Sequence, residues 1–583
     1  MRREGGMKAR TLLLLAAAAI VSVLLIFNTR FMRLTDPGTR CANGQLFCRP
    51  VHLLPQEPLH KGHQVAKVEP KTCQLLKLQF AASSEKISIL CPNEDNFRPA
   101  ARVFNSRFSD ILPHVVVQPR TDKHIVAALK MAKKEGLMVT VRDGGHNPAG
   151  ITVHPGAMLI DMSLMNQISV DYDRMTFTTG GGTLWTEVQD KIMHKNVSVV
   201  GGGCPTVGTV GLALGGGLSW LSRSKGLVSD NVLQMKVIMP NGSIAMASES
   251  TNTELFWGLR GAGGSNFGVV SEATFKLFHA EEMYFAGSPC FPNVTDAAML
   301  QQLLELWSDA VVELQDPRVT LWLVTSNGHR NKPSSPALRV CIALFFDGPV
   351  REGAAASQPI LSRLGQFADE HPDLMCASFP KICGMAKNPS TRGNVQSVGD
   401  WFREGQPYLQ GHTFISWSRS MGANKAHIYW KSGFIQEISP VMAKTAADVL
   451  FDFDDKNVHP NTTKGLHYQF QIEHLGGAIA DKPANHSSYA YRSARILWAI
   501  QAYTVYLPTA EQDRLMERWS AEAMAELEPF FSGSYANYAD DKLDGWEHKY
   551  YGREHYTRLQ KLKEAVGGFE LFSTRQRVQQ API

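Results

Sequence analysis

The chain has 583 residues, of which 44% are hydrophobic and 19% are charged, a composition typical of globular proteins. This length exceeds what one core normally supports, so two or more domains are expected. The formal net charge is +5, and six basic residues and one acidic residue within the first 35 positions account for all of it. The rest of the chain is electrically balanced, which disfavours nucleic acid as a partner.

The N-terminus carries an uncharged stretch at residues 11–29 that is rich in leucine and alanine. Such a stretch is a signal peptide or a signal-anchor helix and is excluded from the fold. Its length is near the lower limit for a membrane span, and Arg30 and Arg33 follow it in place of a clean cleavage site. We therefore expect residues 1–36 to direct the chain into the secretory pathway, with the body secreted or held on the lumenal or outer side by a membrane tether.

Sequons and cysteines fit an oxidising compartment. The chain has nine cysteines, and disulfide connectivity cannot be deduced from sequence. Plausible local pairs are Cys41 with Cys48, Cys73 with Cys91, and Cys376 with Cys383. Cys341 lies in an apolar run and is expected to be a buried thiol. The Asn-x-Ser/Thr sequons are Asn196, Asn241, Asn293, Asn461 and Asn485.

Residues 37–71 are rich in Pro and Gly, and residues 37–90 are interpreted as a stalk or N-terminal extension. After them, short β runs alternate with turns. Helices are predicted at 121–132, where Thr121 and Asp122 form a cap, and at 183–195. The predicted strands in this half are residues 115–119, 139–142, 158–161, 175–179, 228–239 and 267–277.

The second half contains longer strands together with two predicted helices, at 296–315 and 509–527. Its predicted strands are residues 320–325, 339–346, 465–473 and 495–503. Strands followed by helices favour a sheet that is covered on one side. The fold class predicted for the whole chain is α+β.

Glycine clusters dominate the first half, and they surround two nucleophilic side chains. Glycine is used where φ must be positive or where a ligand must approach the backbone closely, so these clusters predict loops around one large anionic ligand. His146 and Cys204 each lie inside one cluster. Taken singly, a His in a glycine loop is more often a turn residue, and a lone Cys is more often buried or disulfide-bonded. The clusters are residues 142–147, 179–183, 201–208, 215–217 and 261–268.

The common nucleotide, metal and nucleophile motifs are absent. No G-x-G-x-x-G follows a strand and opens a helix, and no G-x-x-x-x-G-K-[ST] is present, which disfavours a Rossmann dehydrogenase or a P-loop enzyme. The sequence has no H-E-x-x-H and no paired C-x-x-C, so no metal site is expected. It also lacks the G-x-S-x-G nucleophile elbow.

Several motifs together resemble the berberine-bridge-enzyme-like FAD-linked oxidases of the vanillyl-alcohol-oxidase superfamily. They are Arg-Asp-Gly-Gly-His at 142–146, Gly-Cys-Pro-Thr-Val-Gly at 203–208, Leu-Gly-Gly-Gly at 214–217, Gly-Leu-Val-Ser-Asp-Asn-Val at 226–232, Leu-Phe-Trp-Gly-Leu-Arg-Gly at 255–261 and Asn-Phe-Gly-Val-Val at 266–270. The resemblance covers roughly residues 91–572 and is nearest the carbohydrate-oxidase branch. It implies a two-part FAD-binding domain of the PCMH type at 91–280. It further implies a substrate-binding domain at 281–530, with an antiparallel sheet flanked by helices, and a segment at 531–583 that returns to the FAD domain.

The same resemblance implies FAD held by two covalent bonds, from His146 to the flavin 8α-methyl carbon and from Cys204 to flavin carbon 6. Each bond would withdraw electron density from the ring and make it a stronger oxidant, while backbone N–H groups of the glycine loops would cradle the pyrophosphate. The other cofactor-binding residues that it implies are Arg142, Gly144, Gly145, Asn147, Gly203, Thr206, Val207, Gly208, Gly211, Gly216, Asn231, Gly268, Val269, Val270 and Asn537.

Polar residues on two predicted strands are candidates for the chemistry. Gln469, Gln471 and Glu473 share one strand face because side chains alternate, and Gln501 is a polar residue in an apolar strand. This face either lies over a ligand or is a solvent-facing polar edge. The resemblance implies that Tyr538 is the general base for a substrate hydroxyl, with Glu473 as its partner and with Gln471 and Gln501 binding substrate hydroxyls.

The expected activity is oxidation of an alcohol or hemiacetal carbon in a small organic or carbohydrate substrate, with hydride transfer to the flavin. O2, giving H2O2, or another acceptor would reoxidise the cofactor. Two alternatives stay open: oxidation of an alkaloid, terpenoid or phenolic alcohol, and a catalytically inactive protein that keeps the flavin fold for binding. The combination of His146, Cys204 and Tyr538 weighs against the second, because a binding protein needs none of them.

Overall fold

A computed structural model describes residues 73–74, 77–78, 87–192, 195–281, 283–288, 290–326, 338–371, 406–407, 426–451, 465–572 and 574–581. All of them lie within the unit formed by residues 58–583. The predicted signal or anchor segment, most of the predicted stalk, the pairs Cys41–Cys48 and Cys376–Cys383, and the sequon at Asn461 fall outside the described residues. In the described ranges, no helix is both long enough and apolar enough to cross a membrane.

The first sheet has four strands in the order β1-β2-β4-β3. Strands β2 and β3 run parallel to β4, whereas β1 is antiparallel to β2. The helix between β2 and β3 begins at the predicted cap, where the Thr121 hydroxyl accepts a hydrogen bond from the His124 N–H. The strands are β1 (Ser88–Leu90), β2 (Val115–Gln118), β3 (Val139–Arg142) and β4 (Met158–Asp161), and the helices are α1 (Phe97–Ala101) and α2 (Asp122–Lys134).

The second sheet is antiparallel, with the order β5-β6-β10-β8-β9. The segments between its strands carry four of the five glycine clusters, whereas the first cluster, residues 142–147, follows β3 of the first sheet. The strands from residue 168 to 279 are β5 (Ile168–Asp171), β6 (Thr176–Gly180), β7 (Val197–Ser198), β8 (Val232–Ile238), β9 (Ile244–Ser248), β10 (Val269–Lys276) and β11 (Phe278–His279). The helices are α3 (Trp185–Ile192), α4 (Thr209–Leu214), α5 (Ser222–Lys225) and α6 (Thr253–Leu259).

The third and largest sheet has eight strands, all antiparallel, in the order β16-β12-β15-β14-β18-β19-β17, with β13 also pairing with β15. Its strands are β12 (Met283–Gly287), β13 (Cys290–Val294), β14 (Val319–Ser326), β15 (Leu338–Phe346), β16 (Gln406–Pro407), β17 (His427–Ile435), β18 (His467–His474) and β19 (Ile496–Thr504). The helices from residue 297 onward are α7 (Ala297–Glu313), α8 (Val350–Ala356), α9 (Gln358–Glu370), α10 (Pro440–Phe451), α11 (Ala510–Leu527) and α12 (Trp546–Ala565).

The two faces of the large sheet differ in polarity because side chains alternate along each strand. On β18, Phe470 and Ile472 are fully buried and share one apolar core with Trp307 of α7 and Trp519 of α11. The opposite face of β18 carries the polar residues. Among the described residues, helices α7, α9, α10 and α11 cover the apolar face, and the predicted α+β class is confirmed.

Strand β17 was not predicted, because polar residues and a glycine interrupt its apolar pattern. The structure supplies a partner for each interruption. Lys431 forms a buried ion pair with Asp540 at 2.6 Å. At Gly433, a Cβ atom would lie 2.0 Å from the ring of Phe531, so only glycine fits against that side chain.

One cysteine prediction is confirmed and another is wrong. Cys73 and Cys91 form a disulfide, as the local spacing predicted. Cys341 is not a thiol, because it forms a disulfide with Cys290. Strand β13, which the sequence did not reveal, places Cys290 directly opposite Cys341 on β15.

Replacing Cys341 with Ala should lower the free energy of unfolding by about 2–4 kcal/mol, since the bridge to Cys290 closes a loop with a sequence separation of 51 residues. Thermal or denaturant unfolding measures the change. Cys290→Ala and the double variant should show the same loss as the single one, because any of the three removes the same bond. Additive losses in the double variant would contradict this.

Candidate active site

A cavity of about 780 Å³ lies between the glycine loops and the polar face of the large sheet. Its volume is within the range of about 300–1,000 Å³ that is common for ligand pockets. One wall is backbone-rich and the other carries amide, carboxylate and phenol groups. The sequence-predicted residues that line it are Gly144, Gly145, His146, Asn147, Gly203, Cys204, Val207, Gly208, Gly211, Gly268, Val270, Gln471, Glu473, Asn537 and Tyr538.

Other predicted cofactor residues are described by the structure but do not line the cavity. The Arg142 guanidinium pairs with Asp161, with 2.7 Å between Nη2 and Oδ2. The Asn231 amide donates hydrogen bonds to the carbonyls of Lys225 and Leu227. Such contacts hold the loops in place from outside. The predicted residues away from the cavity are Arg142, Thr206, Gly216, Asn231, Val269 and Gln501.

The loop at Gly144 and the loop at Gly208 are in direct backbone contact. A Cβ atom on Gly144 would lie 2.4 Å from the Gly208 nitrogen and 2.7 Å from the Thr206 carbonyl oxygen, closer than any side chain can approach. A Cβ on Gly208 would meet the Asp143 carboxylate at 2.0 Å. That carboxylate accepts a hydrogen bond from the Gly211 N–H at 2.8 Å, in the first turn of α4, as a capping side chain does. The two glycines therefore bring the predicted His and Cys loops together.

One hydroxyl lies between the two candidate tethers. The Thr206 Oγ1 is 2.8 Å from Nε2 of His146 and 3.8 Å from Sγ of Cys204. The His146 ring also stacks on Phe104, with 4.6 Å between ring centroids. Cys204 retains its thiol. The nucleophilic atoms of both residues are thus held on the same side of the cavity.

Burial lowers the pKa of His146 to about 4, since desolvation disfavours the charged imidazole. The ring is therefore neutral at physiological pH. A neutral imidazole keeps a lone pair on one nitrogen, which is what a covalent bond to carbon requires. The ring is in the protonation state that suits a tether.

Across the cavity, Tyr538 and Glu473 form a short hydrogen bond. The Tyr538 hydroxyl donates to Oε1 of Glu473 at 2.6 Å, and the Gln471 amide donates to the same oxygen at 2.7 Å. Gln471 also lies 3.4 Å from the Tyr538 hydroxyl. Strand β18 and the turn of helix at Ala536–Tyr538 bring these groups together, as the resemblance implied.

Burial raises the pKa of Glu473 to about 7, although the hydrogen bonds from Tyr538 and Gln471 oppose the shift. Burial and the neighbouring Glu473 carboxylate raise the pKa of Tyr538 well above its ordinary value. The phenol alone is therefore not a base near neutral pH. Glu473 can gain or lose a proton in that range, so the arrangement allows the pair to act as one acid–base unit.

Gln501 stands behind this unit and not in the cavity. Its side chain is fully buried. It donates to Oε1 of Gln471 at 3.5 Å and accepts a hydrogen bond from Gln469. Gln469, which lines the cavity, also accepts from the Tyr503 hydroxyl at 3.4 Å. Gln501 therefore orients the two glutamines that face the ligand.

Two indole rings, which the sequence gave no reason to select, border the polar wall. Trp322 lines the cavity and stacks on Trp220, with centroids 4.3 Å apart. Trp430 also lines it and packs on Tyr538 at 4.6 Å. Both come from strands next to β18 or β19, so only the strand register reveals them.

The residues present fit FAD. The glycine loops form a cradle that Cβ atoms would fill, and two nucleophiles are held on one side of it. A buried guanidinium nitrogen on Arg577, another cavity residue, has no hydrogen-bond partner and can meet an anionic ligand. Among the described residues, no group of three or more His, Cys, Asp or Glu could hold a metal ion.

Comparison with known proteins agrees with this geometry. Residues 113–248 match the family model described as an FAD binding domain, and residues 534–579 match the model described as berberine and berberine like. The chain is 30% identical over 256 residues to (R)-6-hydroxynicotine oxidase of Paenarthrobacter nicotinovorans, covering 44% of this chain and 54% of that protein. It therefore spans about half the length of that relative. It is also 25% identical over 526 residues to xylooligosaccharide oxidase of Thermothelomyces thermophilus, covering 85% and 93% of the two chains.

Among solved structures, glucooligosaccharide oxidase from Acremonium strictum superposes with a TM-score of 0.70 at 20% identity, covering 88% of this chain and 99% of that one. That oxidase carries a 6-S-cysteinyl, 8α-N1-histidyl FAD. The fold and the site together define a flavoprotein with a PCMH-type FAD-binding fold. Residues 113–248 and 534–579 thus match an FAD binding domain and a berberine-like domain, and the chain is similar to FAD-linked oxidoreductases that include carbohydrate oxidases.

Gly144→Ala should destabilise the protein by about 1–3 kcal/mol, the usual cost of overpacking, because its methyl group would overlap the backbone of Thr206–Gly208. Thermal unfolding measures the loss. Gly211→Ala is the matched control, since its Cβ would only meet Asp143 at 3.5 Å, an ordinary contact. That control should stay within about 1 kcal/mol of wild type. Equal stability of the two variants would refute the backbone contact.

Proposed function

We propose that this protein is an FAD-dependent oxidase that oxidises an alcohol or hemiacetal carbon of a carbohydrate. The observation that carries the proposal is the 2.6 Å hydrogen bond between Tyr538 and Glu473, on the wall opposite the glycine loops. It pairs a proton acceptor that titrates near pH 7 with a cofactor cradle. When bound, FAD supplies the two-electron acceptor for the substrate and passes the electrons to O2 or another acceptor.

We further propose that FAD is bound covalently through both His146 and Cys204. The support is their common contact with Thr206, the neutral state of the His146 ring and the cysteinyl and histidyl links named for the glucooligosaccharide oxidase. Through these contacts, Thr206 would position both side chains toward the flavin ring. A cofactor fixed in this way leaves the substrate side of the cavity open.

In the proposed reaction the substrate carbon loses two electrons and two hydrogens. The Tyr538 oxygen would accept the hydroxyl proton as the phenol passes its own proton to Glu473. Bound FAD would supply the acceptor for the electron pair and the carbon-bound hydrogen, and O2 would be the final acceptor of two electrons and two protons. Gln471 holds the carboxylate toward the phenol, so the pair accepts the proton as a unit.

A carbohydrate fits the cavity wall better than an apolar alcohol does. Gln469 and Gln471 offer amide groups to hydroxyls, and the flat faces of Trp322 and Trp430 offer packing surfaces for sugar rings. The alignment with a xylooligosaccharide oxidase over 93% of that protein supports the same class. An alkaloid, terpenoid or phenolic alcohol remains the competing substrate class in the test below.

We also propose that the folded body works in the secretory lumen or outside the cell, with or without a membrane tether. Two disulfides in the described residues suit an oxidising compartment. The sequon side chains of Asn196, Asn241 and Asn485 are all exposed, as N-glycosylation requires.

The substrate class is tested by anaerobic stopped-flow reduction of the flavin absorbance with neutral oligosaccharides and, separately, with aromatic and terpenoid alcohols. Fast reduction by an oligosaccharide that has a free reducing end is expected. Reduction by the aromatic or terpenoid alcohols alone would transfer the assignment to the competing class. A flavin that no alcohol reduces would identify a binding protein instead.

Tyr538→Phe and Glu473→Gln should each slow flavin reduction by roughly a hundred- to ten-thousandfold, the usual contribution of a general base. In the wild type the rate should rise with pH through about 7 as Glu473 ionises, because only the carboxylate can accept the proton. Glu473→Gln should lose this rise. Stopped-flow reduction across pH 5–9 measures both effects.

The matched control is Tyr503→Phe, which removes another phenol from the same cavity without touching the pair. Its reduction rate should stay within about tenfold of wild type, since it loses one neutral hydrogen bond. Flavin reduction at the wild-type rate in Tyr538→Phe, or an unchanged pH profile of that rate in Glu473→Gln, would exclude the proposed proton path.

A further inference from the structure

Two cations are buried in the C-terminal segment beside the glycine loops. The Arg577 side chain is 5% exposed and Lys563 is 0% exposed. No carboxylate forms an ion pair with either one among the described residues. A buried charge without a counter-charge is costly, so its retention points to an anionic partner other than the described residues.

The two cations differ in what they contact. The Lys563 ammonium donates to the backbone carbonyls of Phe572 and Val578, so it holds the tail in place. The Arg577 guanidinium makes no hydrogen bond to any residue in the described part of the chain, and its Nε is buried. Arg577 lines the cavity, whereas Lys563 does not. Arg577 therefore combines a buried donor that has no partner among the described residues with a position at the wall of the cavity.

The segment around Arg577 is fixed against the last glycine cluster, residues 261–268. The Val578 N–H donates to Oδ1 of Asn266 at 3.0 Å, and the Tyr551 hydroxyl donates to the Ala262 carbonyl at 2.9 Å. Gly263 and Gly264, between these anchors, line the same cavity. The guanidinium thus stands beside a loop whose backbone is open to a ligand.

The backbone before Arg577 is held in an unusual conformation. Gln576 has φ of +51°, in the left-handed region that non-glycine residues rarely adopt. Its side-chain amide donates to the Asp540 carbonyl at 2.7 Å. Strain of this kind persists only where the surroundings enforce it and is common at ligand sites. Here it directs Gln576 and Arg577, which are adjacent, to the same cavity.

The charge environment agrees with an anionic ligand. Burial and, to a smaller extent, the charge on Arg577 together lower the pKa of Lys563 to about 7. Burial lowers the pKa of Arg577 to about 10. An anion in the cavity would favour the charged form of both groups, which gives it a binding energy that neutral ligands lack.

We propose that Arg577 binds the diphosphate of FAD, with Lys563 fixing the tail that presents it. The proposal rests on the flavin site proposed above. In oxidised FAD the diphosphate carries the fixed negative charge, and the glycine loops offer only N–H dipoles to it. A planar guanidinium with several donors matches phosphate oxygens in charge and geometry. The C-terminal segment would thereby act directly in cofactor binding.

The test uses the full chain with His146→Ala and Cys204→Ala as the parent, so that flavin is held without covalent bonds. FAD release is followed by fluorescence after dilution, and binding of riboflavin, which has the same ring but no phosphate, is titrated in parallel. Arg577→Met should weaken FAD binding by about ten- to a hundredfold and leave riboflavin binding unchanged. Arg577→Lys should recover part of the loss because it keeps the charge.

Arg575→Met is the matched control, since Arg575 lies in the same segment but does not line the cavity, and its guanidinium already has a protein partner in the Ala149 carbonyl at 2.6 Å. It should bind FAD as the parent does. Melting of the flavin-free proteins separates cofactor binding from folding: Arg577→Met should melt no lower than the parent, because it removes a buried charge. Only the stabilisation that added FAD provides should fall.

Three results would overturn the inference: FAD binding by Arg577→Met within twofold of the parent, an equal loss of riboflavin affinity, or a flavin-free protein that melts well below the parent. The second would place the guanidinium at the ring, and the third would make it a packing residue. A parent that binds neither FAD nor riboflavin would instead count against the flavin site itself. The failures of the two proposals are therefore distinguishable.

Discussion

The backbone contact between Gly144 and the segment from Thr206 to Gly208 is the constraint on which the site depends. No side chain fits between these loops, because a Cβ atom at Gly144 would lie 2.4 Å from the Gly208 nitrogen. The contact sets His146 and Cys204 around one threonine hydroxyl. It also brings Asp143 to the first turn of α4. The positions of both proposed tethers therefore depend on glycine at positions 144 and 208, because a Cβ atom at either position would push the two loops apart.

The large sheet supplies the other half of the site through a division of its faces. Helices bury the apolar face, so the polar face is available to a ligand. On that face Glu473 is almost completely buried yet bonded to Tyr538 and Gln471. Burial raises the pKa of Glu473 to about 7, and the hydrogen bonds from Tyr538 and Gln471 oppose this shift. The burial of Glu473 in the sheet therefore brings its pKa into the range near neutral pH.

Sequence reasoning succeeded where the signal was local. The helix cap at Thr121, the strands with regular apolar patterns and the glycine clusters follow from neighbouring residues, and the observed elements agree with them. The family motifs placed His146, Cys204, Glu473 and Tyr538 around one cavity. Which of them bond the cofactor or move the proton stays a prediction.

Features that depend on distant partners could not be read from the sequence. Strand β17 could not be predicted because Lys431 and Gly433 interrupt its apolar pattern. The partners of these two residues lie about a hundred residues away in the C-terminal segment. The Cys290–Cys341 bridge needed the register of two strands. Arg142 matches a cofactor motif but turns to Asp161, and Arg577 lies outside every recognised motif but faces the cavity. In each case tertiary contacts, not local pattern, decide where the side chain goes.

The most direct test of the account is mass spectrometry of peptides from the purified, denatured protein. The account predicts one species in which the peptide with His146 and the peptide with Cys204 are joined by a single flavin. A flavin on only one of the two peptides would show that the other residue, His146 or Cys204, does not bond the cofactor. Unmodified forms of both peptides would contradict the central claim that these two side chains converge on the cofactor.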